Sequence, residues 1–542
     1  MVAESPLGRR PAIGYRSPMS AKKLFSALLS LGLAAHAGAA SPPGDALARF
    51  HDPERRAKLA AAFPEVDRVM RGFVARENVP GAAWGIVVDG ELAHVGTVGL
   101  RDVEAGAPVT GDSVFRIASM TKSFTAMAIL KLRDEGKLSL DDPAERHVPE
   151  LRGLRPLTAD APRITLRHLL TQSAGFPEDN PWGDQQLGIS EQEFSRLMRG
   201  GIPFSNPPGV AYEYSNYGFA ILGRVVANVS GQPYTRYVER EILRPLGMSS
   251  TTLEPRAVPP SRLAQGYRRE DERWKLEPQL PDGAFGAMGG MLTSLQDLGR
   301  YVGLLLAAWP PRDGADAGPV SRASLREMQQ MWRMRPATAT RDAAGATQLN
   351  VSGYGYGLRI SQTCEFAHVV AHSGGLPGFG SQMRWLPEYG VGLIAFGNRT
   401  YTPWGDAFGP ALAALKASGG LQPRAVEPSP ALLEARKVVT GLVGAWDDAA
   451  AERLAAVNLF LDRDRGRRRA EFAQLRAEVG ACRDEGGWVS IENRLRGDWL
   501  LRCERGDLVA SVTLAPIEPP KVQHLELRRA PPGGAVAAAI CP

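Results

Sequence analysis

The chain has 542 residues, of which 44% are hydrophobic and 23% charged. This is too long for one small core, predicts two or three domains, and has the composition of an ordinary folded protein rather than a fibrous or low-complexity one. The formal net charge is +6, but residues 1–40 hold Arg9, Arg10, Arg16, Lys22 and Lys23 against Glu4 alone, so only +2 belongs to the rest. That leaves no charge argument for a nucleic-acid partner.

The first element in chain order is an export signal. Lys22 and Lys23 precede an apolar run from Leu24 to Ala35, followed by small-residue cleavage sites at Ala37 and Ala39. The run is too short to span a bilayer and reads as a secretory signal, with Met19 as the expected initiator and residues 1–40 as extension plus signal. The expected location is periplasmic or secreted, with no transmembrane segment after signal removal. Export permits disulfides. Of the four cysteines, Cys482 and Cys503 flank two strand-like runs that a hairpin would bring together, and they are the predicted pair; Cys364 and Cys541 have no assigned partner. Nothing in the Cys/His spacing suggests a metal, and no cofactor is expected.

Helical periodicity covers 64–78. Two apolar runs around Asp89-Gly90 predict a hairpin. "FRIASMTKSFTA" (115–126) opens a helix that runs to Gly136, and 164–176 is a short helix ending in a turn. Residues 214–231 begin in a loop and become helix. At 283–307 a Gly-rich segment feeds a helix with Ser294 and Asp297 spaced as a capping box. Residues 309–319 predict a surface loop, and 367–398 two or three sheet strands. Residues 417–430 read as a linker. Beyond it come one or two helices and short strands at 488–491, 499–503, 508–514 and 522–527. The basic run at 462–471 alternates with acids and predicts a solvated face. The main domain thus starts and ends with strands that share one antiparallel sheet, with a helical middle as a second lobe.

Three short motifs carry chemistry. In Ser119-x-x-Lys122 the two side chains share a helix face one turn apart, and a desolvated lysine has a lowered pKa that lets it take the serine proton. The spacing alone is cheap, since Ser20-x-x-Lys23 repeats it inside the signal. Tyr214-x-Asn216 occurs once and offers a proton-exchanging phenol and an orienting amide. His372-Ser373-Gly374-Gly375 opens a predicted strand whose glycines let a substrate lie against its edge.

In this order and context the motifs resemble the penicillin-recognising serine hydrolases, specifically the class C β-lactamase-related esterases, D-aminopeptidases and DD-peptidases (peptidase family S12). "ITLRHLLTQSAGF", "YEYSNYGFAILG", "PLGM", "GAMGGMLTSLQDLGRYV" and "HSGGLPGFGS" extend the likeness over roughly residues 64–400. The resemblance implies an α/β (α+β) fold, a β-lactamase/transpeptidase-like antiparallel sheet flanked by helices with a helical lobe; the helix and strand patterns of 431–542 add a small C-terminal α+β domain. The expected domains are 41–416 for the hydrolase, 417–430 for the linker and 431–542 for an accessory domain of unknown partners. It implies Ser119 as the acylated nucleophile, with Lys122 and Tyr214 sharing the proton work in unassigned order. Asn216, His372, Ser373, Gly374 and Gly375 then bind substrate, with the Ser119 and Gly375 N–H groups as oxyanion hole. The "GAMGG" stretch (286–290) is expected to line or back the cleft.

One position departs from the familiar pattern: His372 stands where Lys-Thr-Gly would place a lysine. Histidine is a weaker, pH-dependent anchor for a substrate carboxylate. This weighs against efficient β-lactam hydrolysis and leaves ester and D-amino-acid amide cleavage open. The expected function is an exported hydrolase acting through an acyl-enzyme on a small-molecule or peptidoglycan-like substrate. The alternatives are a true class C-like β-lactamase, or a non-catalytic penicillin- or peptidoglycan-binding sensor.

Overall fold

The apolar run "GAAWGIVV" is buried at every position, because it is a central strand covered on both faces. The computed structural model describes residues 47–341, 345 and 347–531. The signal segment and Cys541 lie outside the described residues. The elements that position the cleft are helices α1 (Phe63–Arg76), α2 (Thr121–Asp134), α3 (Asn216–Ser230), α4 (Leu295–Ala307) and α5 (Gly405–Ala417). The strands are β1 (Gly81–Val88), β2 (Glu91–Asp102), β3 (Thr347–Tyr354), β4 (Arg359–Thr363), β5 (Val369–Leu376), β6 (Phe379–Leu386) and β7 (Val391–Gly397).

These strands run β3-β4-β5-β6-β7-β1-β2 within a ten-stranded sheet. The last strand, β7, lies antiparallel to the first, β1, with Ile394 opposite Gly85. The two ends of the domain therefore close one sheet, as expected from the placement of the strand patterns. Side chains alternate between two cores. Trp84, Ile86, Leu393 and Ala395 pack with Phe73, Trp404 and Phe408 of the α1/α5 layer. Ala83, Val87, Ile394 and Phe396 face α2, α4 and the helical lobe.

Helix α2 is apolar nearly all round, "TKSFTAMAILKL", and accordingly sits inside the domain between sheet and lobe. It ends before Gly136, which takes φ +71. Ser294 caps α4 by accepting from the Asp297 N–H.

The C-terminal region has a separate core that includes Val439, Phe472, Trp499 and Val512. Among the described residues it holds four helices rather than one or two, including α6 (Pro430–Gly444) and α7 (Arg465–Val479). The two short extras, Asp448–Leu454 and Leu459–Asp462, carry too few residues for a clear period. Against these helices lie β8 (Trp488–Asn493), β9 (Arg496–Cys503), β10 (Leu508–Leu514) and β11 (Val522–Arg529), in register order β8-β9-β10-β11. The basic run forms the start of α7, and Arg463 and Arg467 pair with Glu471 and Asp464 on its surface. Arg468 is the exception: it is buried and donates to the Leu459 and Leu525 carbonyls. The linker is not free chain, since Ala425–Val426 pairs with Ala48–Arg49.

Cys482 and Cys503 form the predicted disulfide across paired strands. It closes a segment with a sequence separation of 21. On the loop-entropy account, losing it costs about 3 kcal/mol. The pair Cys482→Ser/Cys503→Ser is therefore expected to lower the denaturation midpoint of this region, read by hydrogen exchange on β9 and β10. Unchanged protection there would show that the bridge closes a loop already ordered in the unfolded chain.

Candidate active site

Ser119 sits where the chain turns from strand into α2. Phe115–Arg116 pairs with Leu292–Thr293, and the Ile117 N–H donates to the Met291 carbonyl. The Ile117 carbonyl accepts from Ser381 Oγ at 2.9 Å, which ties this turn to β6. Ala118 then takes φ +47, a left-handed conformation uncommon for a residue with a Cβ. Such local strain is held by its surroundings and collects at functional turns. A single turn of 3-10 helix (Ala118–Met120) leads into α2, so Ser119 is presented at a helix start and is 7% exposed.

Lys122 lies one turn on and is fully buried. Its Nζ lies 3.1 Å from Ser119 Oγ, 2.6 Å from Asn216 Oδ1 and 2.8 Å from the Met288 carbonyl. Burial is the main cause that lowers its pKa, to about 7; the carboxylates of Asp184 and Asp179 oppose the shift. The contacts suit both protonation states. The ammonium donates to all three acceptors, while the free amine keeps two donations and turns its lone pair to the serine hydroxyl.

Asn216 comes from the first turn of α3. Ser215 caps that helix through the Gly218 N–H, and Asp179 accepts from the Asn216 and Tyr217 N–H groups at 2.7 and 2.8 Å. The Asn216 amide also donates to Asn180 at 3.1 Å. Tyr214 packs its ring over Lys122, with Nζ 4.9 Å from the ring centroid. Burial raises its pKa far above that of a free phenol, so the hydroxyl stays protonated at neutral pH. The "GAMGG" stretch backs the site: Met288 supplies an acceptor to Lys122, and Ala287 one to Thr125.

The strand edge beside Ser119 is open for a structural reason. Strand β4 pairs with β5 only at residues 369–371, so Ser373 to Gly375 have no β4 neighbour. Gly374 packs so closely on the Ser119 turn that a Cβ there would stand 2.0 Å from the Ile117 carbonyl. Ser119, Tyr214, Ser373, Gly374 and Gly375 line one cleft of about 620 Å³. A larger cavity of about 740 Å³, bordered by Arg244, Glu254 and Arg262, contains none of them. Of the two, the smaller cleft reaches Ser119, with the Lys122 amine beside it.

His372 stands differently from expectation. Its imidazole is 1% exposed and does not line the cleft. Nδ1 donates to the Ser373 carbonyl at 2.6 Å, which leaves Nε2 to accept from the Tyr354 hydroxyl at 2.8 Å. Burial, followed by the charges of Arg359 and Lys122, pushes its pKa well below the usual value. A neutral, enclosed imidazole offers no charge to a substrate carboxylate. The strand register explains this: His372 is opposite Met383, a core residue, and shares its inward face.

The cation in the cleft is Arg359, at the start of β4. It lines the cleft, and its guanidinium lies 5.6 Å from the Tyr214 ring centroid. No carboxylate pairs with it among the described residues. Asp184 and Tyr401 line the same cleft. No motif spacing marked these three residues; a strand-initial arginine in a segment without acids was the only local signal.

The beta-lactamase family profile matches residues 66–418. Protein flp of Staphylococcus aureus (strain COL) is 27% identical over 347 residues, covering 62% of this chain. The chain spans only 64% of that protein's own length. Esterase EstB of Burkholderia gladioli is 29% identical over 364 residues, covering 62% of this chain and 86% of the esterase. An octameric penicillin-binding protein homologue from Pyrococcus abyssi shares the fold, with a TM-score of 0.54 at 24% identity, covering 84% of this chain and 96% of that one. The profile spans more than half of the chain and all of the cleft elements, and the chain therefore belongs to the beta-lactamase family of penicillin-recognising serine hydrolases.

Proposed function

We propose that this protein is an exported serine hydrolase that cleaves ester or amide bonds through an acyl-enzyme on Ser119. The observation that carries the reading is the buried Lys122 amine, held 3.1 Å from Ser119 Oγ by two fixed acceptors. Ser119 Oγ attacks the substrate carbonyl carbon and its proton passes to Lys122. The carbonyl electrons move onto oxygen, which the Ser119 and Gly375 N–H groups receive. Collapse breaks the bond to the leaving group, which takes its proton from Tyr214; the proton held on Lys122 then restores the Tyr214 hydroxyl and frees the amine for the second half. Water then repeats the sequence on the acyl-enzyme and frees Ser119.

Opposite pKa shifts support this division of labour. Lys122 is lowered toward neutrality and suits the base; Tyr214 is raised and suits the donor. Asn216 fixes Lys122. His372 acts at a remove, through Tyr354, which packs edge-on against Tyr214. Arg359 takes the anchoring role and receives a substrate carboxylate. Among the described residues no helix is long and apolar enough to cross a membrane, and export itself rests on the Lys22–Ala39 segment. The separate C-terminal core supports 41–416 as hydrolase, 417–430 as linker and 431–542 as accessory domain.

The test is a panel of p-nitrophenyl esters, D-Ala-D-Ala peptides, D-amino-acid amides and nitrocefin, run beside fluorophosphonate labelling. The expected result is turnover of esters or amides, slow nitrocefin hydrolysis, and a label on the Ser119 peptide. Labelling elsewhere, or none with all four classes inert, would overturn the reading. Arg359→Gln is expected to raise KM about tenfold or more for a carboxylate-bearing substrate and little for a neutral ester, from the loss of a charged hydrogen bond. Equal effects on both would move the anchor elsewhere.

A further inference from the structure

We propose that Asp184 is the cation-binding wall of the Ser119 cleft, and that the substrates held best carry a protonated amine facing it. The proposal rests on the reading of this cleft as the substrate site.

Asp184 is 2% exposed, yet it lines the cleft. Its Oδ2 accepts from the Tyr401 hydroxyl at 2.6 Å. Its other oxygen has no donor among the described residues, and no lysine, arginine or histidine forms an ion pair with it. A buried carboxylate with one hydrogen bond is costly, because desolvation is offset only by paired charge or full hydrogen bonding. Burial accordingly raises its pKa, against the Tyr401 bond and the Lys122 charge.

The nearby cations do not fill the gap. Lys122 already spends its three donor directions on Ser119, Asn216 and Met288. Arg359 lies over the Tyr214 ring. The second oxygen is therefore left to whatever enters the cleft, and a protonated amine is the group that would also pair its charge. Its neighbourhood suits a cation: Asp406, in the first turn of α5, lines the same cleft, and no base among the described residues pairs with it.

The wall is also built to stay in place. Asp179 and Asn180, on the same loop as Asp184, are bonded to the first turn of α3. Tyr401 takes φ +51 and presses against Gly375, where a Cβ would stand 2.4 Å from its ring. The Asp184–Tyr401 bond therefore fixes the carboxyl beside the oxyanion strand. An amine at Asp184 and a carboxylate at Arg359 would bracket the bond that Ser119 attacks.

The experiment is calorimetric binding to the full-length Ser119→Ala chain at pH 7. The probes are D-alanine p-nitroanilide and its N-acetyl derivative, which lacks the charge. The free amine is expected to bind about tenfold tighter, as a charge-assisted hydrogen bond implies. Adding Asp184→Asn is expected to bring the two within about twofold. Equal or tighter binding of the N-acetyl compound to Ser119→Ala would overturn the proposal, even if the double variant does not fold. So would a preference that survives Asp184→Asn. Binding is read without turnover, so an inert wild-type chain would sink the hydrolase reading and leave this result to stand or fall alone.

Discussion

Ser119→Ala is expected to lower turnover of any substrate by at least about 10⁴-fold and to abolish fluorophosphonate labelling. The reasoning is chemical. Among the described residues no other hydroxyl in the cleft has a buried amine within hydrogen-bond reach, and a serine hydroxyl without a base is a poor nucleophile. Folding is not expected to suffer, because Ser119 Oγ caps no backbone group and the turn is held by Ser381, Met291 and Gly374. The checks are kcat/KM on a p-nitrophenyl ester and labelling followed by peptide mapping, with the thermal midpoint as control. Residual labelling at wild-type level with a preserved midpoint would remove Ser119 from the role.

Lys122→Met is expected to cost about 10²- to 10⁴-fold in kcat, the usual range for a positioned base. In the proposed mechanism activity requires the free amine, so the sign of the pH dependence is set. Below the lowered pKa, near 7, Lys122 is an ammonium and the rate falls as pH drops. Above it the rate levels off. The acid limb of kcat/KM should therefore centre near 7, and Lys122→Met should flatten it. His372 contributes no second limb there, since its pKa lies well below the usual histidine value and its ring is already neutral. An acid limb that persists in Lys122→Met would assign it to another group, with Asp184 the first to examine.

Much of the fold was legible in the residues. The hairpin around Asp89-Gly90, the cap at Ser294, the end of α2 at Gly136 and the Cys482–Cys503 pair are local matters. They follow from turn chemistry, capping and spacing that a few neighbouring residues decide. Closing the sheet through β1 and β7 was legible too, because both ends of the domain carried strand patterns that needed partners. The C-terminal helices were undercounted, since turns of four to seven residues leave no clear period.

The three motifs were legible as an ordered set, but not as a site. The Lys122–Asn216 bond joins residues 94 apart and the Ser381–Ile117 bond residues 264 apart. Neither is encoded in any window of the chain. His372 shows the limit most clearly. Its residue type suggested a charged anchor, whereas the register of β5 turned it inward and burial made it neutral. Arg359 and Asp184 show the converse: ordinary residues in the sequence, made notable by one unpaired cation and one underbonded carboxyl in the same cleft. The sequence by itself determined the family and most of the strand and helix order, and it pointed to the Ser119–Lys122 pair, because these rest on local pattern and order. The tertiary structure decided which side chains face the cleft and which hold charge there, because facing is set by register and charge by burial.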